Sequence, residues 1–358
     1  MKSRTDDLRI LDIQTLSPPS QVMAEHAASD AAIETVATAR SALQNILHRR
    51  DDRLAVVIGP CSIHDVAAAL DYAARLQRER ARLSADLEII MRVYFEKPRT
   101  TMGWKGLIND PRLDGSFAIN EGLGLARGLL CQINDNGLPT ATEFLDVMTP
   151  QYIGDLVSWG AIGARTTESQ IHREMASGLS CPVGFKNGTN GDLKIAADAI
   201  LAAGRRHHFL AVTKDGRSAI ATTLGNSDCH IVLRGGEAPN YQAESVSTAA
   251  RLLEKAGLRS AIMIDASHAN SGKNPDNQPV VVKDITAQIA RGDGRIVGVM
   301  VESNLCGGSQ DLVSGQKLTY GQSITDGCID WETTVQVLDH LAEGVRQRRL
   351  VRLAEMAA

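Results

Sequence analysis

What this sequence has little of already narrows its function. The formal net charge is only −4 over 358 residues. That argues against nucleic acid or an anionic membrane as the main partner. Six cysteines (Cys61, Cys131, Cys181, Cys229, Cys306, Cys328) are scattered without a CxxC pair. This fits a reducing compartment better than a disulfide framework. Aromatic residues make up 4% of the chain. The opening Met1-Lys2-Ser3-Arg4-Thr5-Asp6-Asp7 carries no apolar core of a secretory signal, and no apolar run approaches membrane-spanning length. The expectation is a soluble, cytoplasmic protein with no nucleic-acid or membrane partner.

What is present is a repeated unit. Residues 1–50 are polar and partly helical, with an apolar stripe over Ala27–Leu47 and a break at Pro18-Pro19. They read as an N-terminal extension with an oligomeric or regulatory role. From residue 51 a short apolar run, a loop and a helical pattern recur. The runs are Leu54–Pro60, Leu87–Val93, Thr140–Phe144, Ala161–Ala164, Pro182–Phe185, His230–Leu233, Ala261–Ile264 and Ile296–Val301. Helical patterns lie between them, among them Pro150–Trp159, and Glu332–Gln347 follows the last. Eight strand–helix units predict a (β/α)₈ TIM barrel, class α/β, over residues 51–358. Phe209–Lys214 and Ser218–Thr223 flank Asp215-Gly216 and predict a β-hairpin near 209–223. It would be an insertion between the fifth and sixth units.

The ends of the runs carry the chemistry. They deliver, in order, Cys61, Arg92 (with Lys97 and Arg99 beyond), Glu143, Arg165, Lys186, Arg234, Asp265 with His268, and Glu302; Asp326 lies in the loop before the last helix. In a barrel these ends converge on one face. A charge set in an apolar strand is costly unless paired or functional, and packing alone explains one such residue far better than eight. Cys61, His268, Glu302 and Asp326 form a divalent-metal donor set compatible with Mn, Fe, Co or Zn. His64 is a second imidazole nearby, with a helix-start role as its alternative. Arg92, Lys97, Arg99, Lys105, Arg165, Lys186 and Arg234 aim cations at the same face of an acidic protein, which implies phosphate and carboxylate ligands.

Several longer stretches resemble one family. They are Gly59-Pro60-Cys61-Ser62, Lys97-Pro98-Arg99-Thr100-Thr101, Gly103-Trp104-Lys105-Gly106-Leu107, Gly163-Ala164-Arg165-Thr166-Thr167-Glu168-Ser169, Gly184-Phe185-Lys186-Asn187-Gly188-Thr189, Arg234-Gly235-Gly236 and Asp265-Ala266-Ser267-His268-Ala269-Asn270. They resemble the type I 3-deoxy-D-arabino-heptulosonate 7-phosphate (DAHP) synthases regulated by aromatic amino acids. The resemblance implies condensation of phosphoenolpyruvate with erythrose 4-phosphate, the first step toward shikimate and the aromatic amino acids. It implies Cys61, His268, Glu302 and Asp326 on the metal. Arg92, Lys97, Arg165, Lys186 and Arg234 would bind phosphoenolpyruvate, with Ala164 and Glu143 beside them, and Arg99 and Thr100 the phosphate of erythrose 4-phosphate. Lys97 is the expected proton donor to the aldehyde oxygen.

The resemblance also implies an aromatic amino acid bound near the hairpin, under the N-terminal segment of a neighbouring subunit in a homodimer or homotetramer. The matching positions are Asp6, Asp7, Ile10, Pro150, Gln151, Leu179, Ser180, Phe209 and Ala211. Departures from the phenylalanine-regulated pattern at Val147, Met175, Ala211 and Ala221 leave the effector open between Phe, Tyr and Trp. A rival family condenses phosphoenolpyruvate with arabinose 5-phosphate, and the Lys97-Pro98-Arg99-Thr100 stretch argues against it. A second rival, a catalytically dead binder, finds no support because every candidate ligand is present.

Overall fold

The β-branched runs form strands because, in a parallel sheet, both faces are covered. The computed structural model describes residues 5–99, 103–313 and 315–357. Among them, parallel strands close into a barrel in the order β1-β10-β9-β8-β5-β4-β3-β2. These are β1 (Leu54–Gly59), β2 (Leu87–Arg92), β3 (Thr140–Glu143), β4 (Trp159–Ile162), β5 (Val183–Lys186), β8 (Cys229–Leu233), β9 (Ile262–Asp265) and β10 (Ile296–Glu302). A separate antiparallel pair, β6 (His208–Val212) and β7 (Ser218–Thr222), is the hairpin, set between the fifth and sixth barrel strands. The fold is therefore a (β/α)₈ TIM barrel with an inserted hairpin.

The helices are α1 (Pro19–Glu25), α2 (Asp30–Leu47), α3 (Val66–Arg82), α4 (Ile119–Asp135), α5 (Pro150–Ile153), α6 (Gln170–Gly178), α7 (Lys194–Ala203), α8 (Ala243–Lys255), α9 (Gln278–Ala290) and α10 (Trp331–Ala357). No helix among the described residues is long and apolar enough to cross a membrane.

Alternation along the strands divides the core. Ala55, Val57, Ile90, Ala141, Trp159, Ala161, Val232, Met263 and Met300 share the interior cluster. Their neighbours Val56, Ile58, Ile89, Met91, Ile231, Ile264, Val299 and Val301 face the helices. Leu43, Ile46 and Leu47 of α2 join the interior cluster, so this helix packs its last turns against the base of the barrel. Its start is set by Ser29, whose side chain accepts from the Ala32 amide.

Three local expectations need correction. Pro18-Pro19 does not merely interrupt the N-terminal region; Pro19 opens α1, because a first-turn proline gives up an amide that has no helical partner anyway. The helix expected over 150–159 is only a short turn of α and a 3₁₀ segment ending at Leu156, since Trp159 enters β4. The last helix runs ten residues past Gln347 to Ala357, through Arg, Leu, Ala, Glu and Met, which are good helix formers, with Val351 the one exception.

Candidate active site

Register aligns the chemistry. Glu143, Lys186, Asp265 and Glu302 are the last residues of β3, β5, β9 and β10, and Arg92 is the last of β2. Cys61, Arg165, Arg234 and His268 follow within three residues of β1, β4, β8 and β9. Gly59 pairs with Glu302, which carries the Cys61 loop to the side of that carboxylate. The result is a cavity of about 710 Å³ at the C-terminal mouth, lined among others by Lys97, Glu143, Arg165, Lys186, Arg234, His268, Glu302 and Asp326. Ala164 and Arg99 also line it. Cys61 and Arg92 lie behind this surface, fully buried. Lys105 does not line the cavity; its carbonyl accepts from the Lys97 amide at 2.9 Å. Thr100 lies outside the described residues.

At one end sits the donor cluster. Ligand atoms of Cys61, Glu302 and Asp326 all lie within 4.8 Å of one another. His268 Nε2 stands 3.9 Å from Glu302 Oε1. Its Nδ1 is held by Asp265 Oδ2 at 2.9 Å and the Ser267 hydroxyl at 2.8 Å. A carboxylate behind one ring nitrogen, leaving the other toward the cluster, is the arrangement that orients a metal-ligating histidine. His268 takes a left-handed backbone (φ 54°), unusual for a side chain of this size and held by the Lys273 amide on its carbonyl at 2.6 Å. This donor set fits one divalent cation. His64 is not part of the cluster; Asp65 beside it caps α3.

Cations thread the cluster. Lys97 Nζ donates to Cys61 Sγ at 3.0 Å and stands 3.7 Å from Asp326 Oδ2. Burial lowers the Lys97 pKa, but Cys61, Glu302 and Asp326 more than reverse this, so its ammonium is held above the ordinary lysine range. Burial and the charge of Glu302 push the Cys61 thiol up to about 11. Burial would raise the Asp326 carboxyl, but Lys97 and His268 together hold it below the usual range. Arg92 donates to Glu302 Oε1 at 3.1 Å and stacks over the Tyr94 ring at 3.9 Å.

At the other end the charges are less spent. Lys186 pairs with the fully buried Asp265 at 2.8 Å; burial would raise this carboxyl, but Lys186 and His268 together keep it well below the usual carboxylate range. Arg165, Arg234 and Glu143 make no side-chain hydrogen bond or ion pair among the described residues. Burial, with Arg165 close by, pulls the Arg234 guanidinium down. A Cβ on Gly163 would come within 2.2 Å of Glu143 Oε1, so the glycine is what lets this carboxylate reach the cavity.

Sequence reasoning missed the amide scaffold. Asn187 Oδ1 accepts from the Arg234 amide at 2.9 Å, and its Nδ2 donates to Gly235 O at 2.9 Å. Asn240 accepts from the Gly235 amide, and Asn270 ties Asp265 O to Leu233 O. Gln278 both donates to Glu302 O and accepts from its amide, each at 2.9 Å. Asp265 was visible as a strand end but not as the partner of Lys186 and His268. An Asp at the end of a buried strand, three residues before a His, is the signal that could have found it.

A second cavity of about 510 Å³ lies under the hairpin, lined by Pro150, Gln151, Leu179, Phe209 and Ala211, with Val147, Met175 and Ala221. Ser180 is exposed beside it and does not line it. Asp6, Asp7 and Ile10 are exposed and lie outside it within this chain.

The model of the DAHP synthetase I family matches residues 29–339. The chain belongs to the DAHP synthetase I family. Among its relatives is the Phe-sensitive phospho-2-dehydro-3-deoxyheptonate aldolase of Escherichia coli (strain K12), 60% identical over 349 residues, 98% of this chain and 100% of that one. The Trp-sensitive aldolase of Salmonella typhimurium (strain LT2) is 53% identical over 346 residues, 97% of this chain and 99% of that one. A solved structure, the phospho-2-dehydro-3-deoxyheptonate aldolase from Francisella tularensis SCHU S4, matches with a TM-score of 0.93 and 52% identity, covering 95% of this chain and 99% of that chain. Relatives of this DAHP synthetase I protein thus include both a Phe- and a Trp-sensitive enzyme.

Proposed function

We propose that the mouth cavity carries out the family reaction, condensing phosphoenolpyruvate with erythrose 4-phosphate to DAHP and inorganic phosphate. One observation carries this reading: an imidazole and two carboxylates line a cavity with a thiol directly behind them, and they share it with two arginines that have no partner among the described residues. Cys61, His268, Glu302 and Asp326 would hold one divalent metal ion, which supplies Lewis acidity toward the aldehyde oxygen when bound.

Arg165, Lys186 and Arg234 clamp the phosphate and carboxylate of phosphoenolpyruvate, and Arg92 adds charge from behind Glu302. Arg99, with Thr100, takes the phosphate of erythrose 4-phosphate. Holding two mutually repelling anions in attack geometry is the proximity contribution. C3 of the enol then bonds to the aldehyde carbon, and the aldehyde oxygen takes a proton from Lys97 Nζ. Glu143 orients the water that adds to the cationic C2; its proton leaves to solvent. The C2–O bond to phosphate then breaks with its electron pair going to phosphate, which takes the proton of the C2 hydroxyl and leaves the C2 ketone of the seven-carbon product.

The cavity under the hairpin is read as the seat of a feedback effector, an aromatic amino acid. Residues 1–50 would serve regulation and assembly as a homodimer or homotetramer, in the cytoplasm. Inhibition by Phe, Tyr and Trp in turn decides the effector, and no inhibition by any of them ends this part of the reading.

Phosphate release measured with erythrose 4-phosphate and with arabinose 5-phosphate tests the reaction itself. Turnover with erythrose 4-phosphate and little with the pentose is expected; the reverse preference, or release with neither, contradicts it. Lys97→Ala is expected to lower kcat. A rise in KM alone would remove the proton-donor role.

A further inference from the structure

The far end of the barrel, away from the mouth, holds charges of another kind. Nearly every carboxylate there already has its arginine. Asp51 pairs with Arg53 at 2.7 Å, Asp52 with Arg349 at 2.7 Å, and Asp293 with Arg295 at 2.6 Å. Asp86 takes Arg346 and Arg349 at 2.7 and 2.6 Å, and Glu88 takes Arg53 and Arg80 at 2.6 and 2.8 Å. Three guanidiniums around one cavity stand apart from these pairs. Arg49, Arg348 and Arg352 form no ion pair among the described residues.

Arg348 is the telling one. It is 4% exposed, yet its Nε has no hydrogen-bond partner, and among the described residues its side chain makes one hydrogen bond, a donation to Asp52 O. Asp52 and Asp293 favour its charge from a distance, but neither forms an ion pair with it, and a buried charge without a direct partner is costly for a fold to keep. Burial, followed by the like charge of Arg352 one turn along α10, outweighs the carboxylates of Asp52 and Asp293 and pulls Arg348 down to about 10. Arg348 borders a cavity of about 40 Å³, whose wall also includes Arg49, Arg352 and Gly294, together with Arg53, Asp51 and Asp52. The two carboxylates are already taken up by Arg53 and Arg349. Arg352 bends back over it: a Cβ on Gly294 would meet its Nη2 at 2.5 Å. Arg49 reaches the same rim and is anchored on Ser260 Oγ at 3.0 Å. The cavity has room for roughly three waters or one small ion.

We propose that this cavity is a binding site for a phosphate-class oxyanion, held by Arg348, Arg352 and Arg49. A guanidinium presents planar, directed N–H donors that match the oxygens of a tetrahedral anion better than they match a monatomic ion. The bound anion ties together the loop before β1, the loop before β10 and the C-terminal helix. It is separate from the mouth and does not depend on the reaction assigned there.

Equilibrium dialysis with radiolabelled inorganic phosphate tests it, on intact wild type and Arg352→Gln at matched ionic strength. Arg352 is exposed, so its replacement leaves the fold in place. Phosphate also binds at the mouth in both proteins, so the reading is the difference between them. One phosphate fewer per chain in Arg352→Gln is expected, at unchanged kcat and KM. The phosphate-induced rise in Tm should also be smaller by roughly 2–4 °C near saturation. Arg165→Gln should lose phosphate from the mouth and keep the one at the base. Equal stoichiometry in wild type and Arg352→Gln overturns the site, leaving water in the cavity. An equal Tm rise with chloride overturns the oxyanion assignment.

Discussion

The two ends of this barrel use the same residue types for opposite purposes. At the base, arginines and carboxylates are matched to one another, as in the chain Arg80–Glu88–Arg53–Asp51. At the mouth, Arg165, Arg234 and Glu143 are left without side-chain partners among the described residues. A matched charge contributes to holding the fold, whereas an unmatched one is kept for a ligand that brings the opposite charge. The mouth is not free of pairs: Lys186–Asp265 and Arg92–Glu302 are tightly bonded. Those pairs fix the positions of the groups around the unmatched ones. Arg49, Arg348 and Arg352 are the exceptions around the base cavity, which is why that cavity stands out.

Substitutions should separate the two ends. The largest effect is expected from Arg165→Gln, which removes a substrate contact. Steady-state kinetics should show kcat/KM for phosphoenolpyruvate falling by roughly 100-fold, as for loss of a charged hydrogen bond with its electrostatics. Calorimetry on the same protein should show Tm unchanged or slightly raised, because repulsion between Arg165 and Arg234 is relieved. A marked fall in Tm would erase the contrast.

Asp265→Asn comes next. It weakens the hold on both Lys186 and His268, so divalent-metal affinity should fall by about 10–100-fold in a titration. At the base, Glu88→Gln strips two guanidiniums of a buried partner. We expect denaturant unfolding to show a loss of about 2–3 kcal/mol with kinetics unchanged. Altered kinetics would mean the base communicates with the mouth.

The smallest expected effect is a pH slope. Glu96 is buried beside Asp146, and burial followed by that carboxylate pushes it up to about 8. It accepts from the Asp146 amide and the Thr149 hydroxyl, each at 3.1 Å. Its folded pKa is raised above the unfolded one, so the native state binds the extra proton between about 4.5 and 8. Stability tied to this group is therefore present at low pH and lost as pH rises through 8. Melting curves between pH 6 and 9 should be flatter for Glu96→Gln, and an unchanged slope would contradict this.

Much of the barrel was legible because β-branched runs such as Val56-Val57-Ile58 end abruptly at Gly59-Pro60, and because a TIM barrel gathers every strand end on one face. Cys61, Arg92, Lys186 and Glu302 stood out as polar groups at the ends of apolar runs. Asn187, Asn240, Asn270 and Gln278 did not, since a carboxamide carries no charge to mark it and its role comes from the loops it joins. Trp159 reads as helical from sequence because a four-residue strand has too little pattern to outweigh the helical residues before it. Nothing in the sequence marked Arg348 either: an arginine near the end of a long helix looks solvent-exposed until α10 is laid against the base.

The most direct test of the whole account is phosphate release from phosphoenolpyruvate in the presence of erythrose 4-phosphate, before and after chelation. The account predicts release matched one-to-one to sugar consumed, abolished by chelator and restored by added divalent metal. Release that persists undiminished after exhaustive chelation would contradict it.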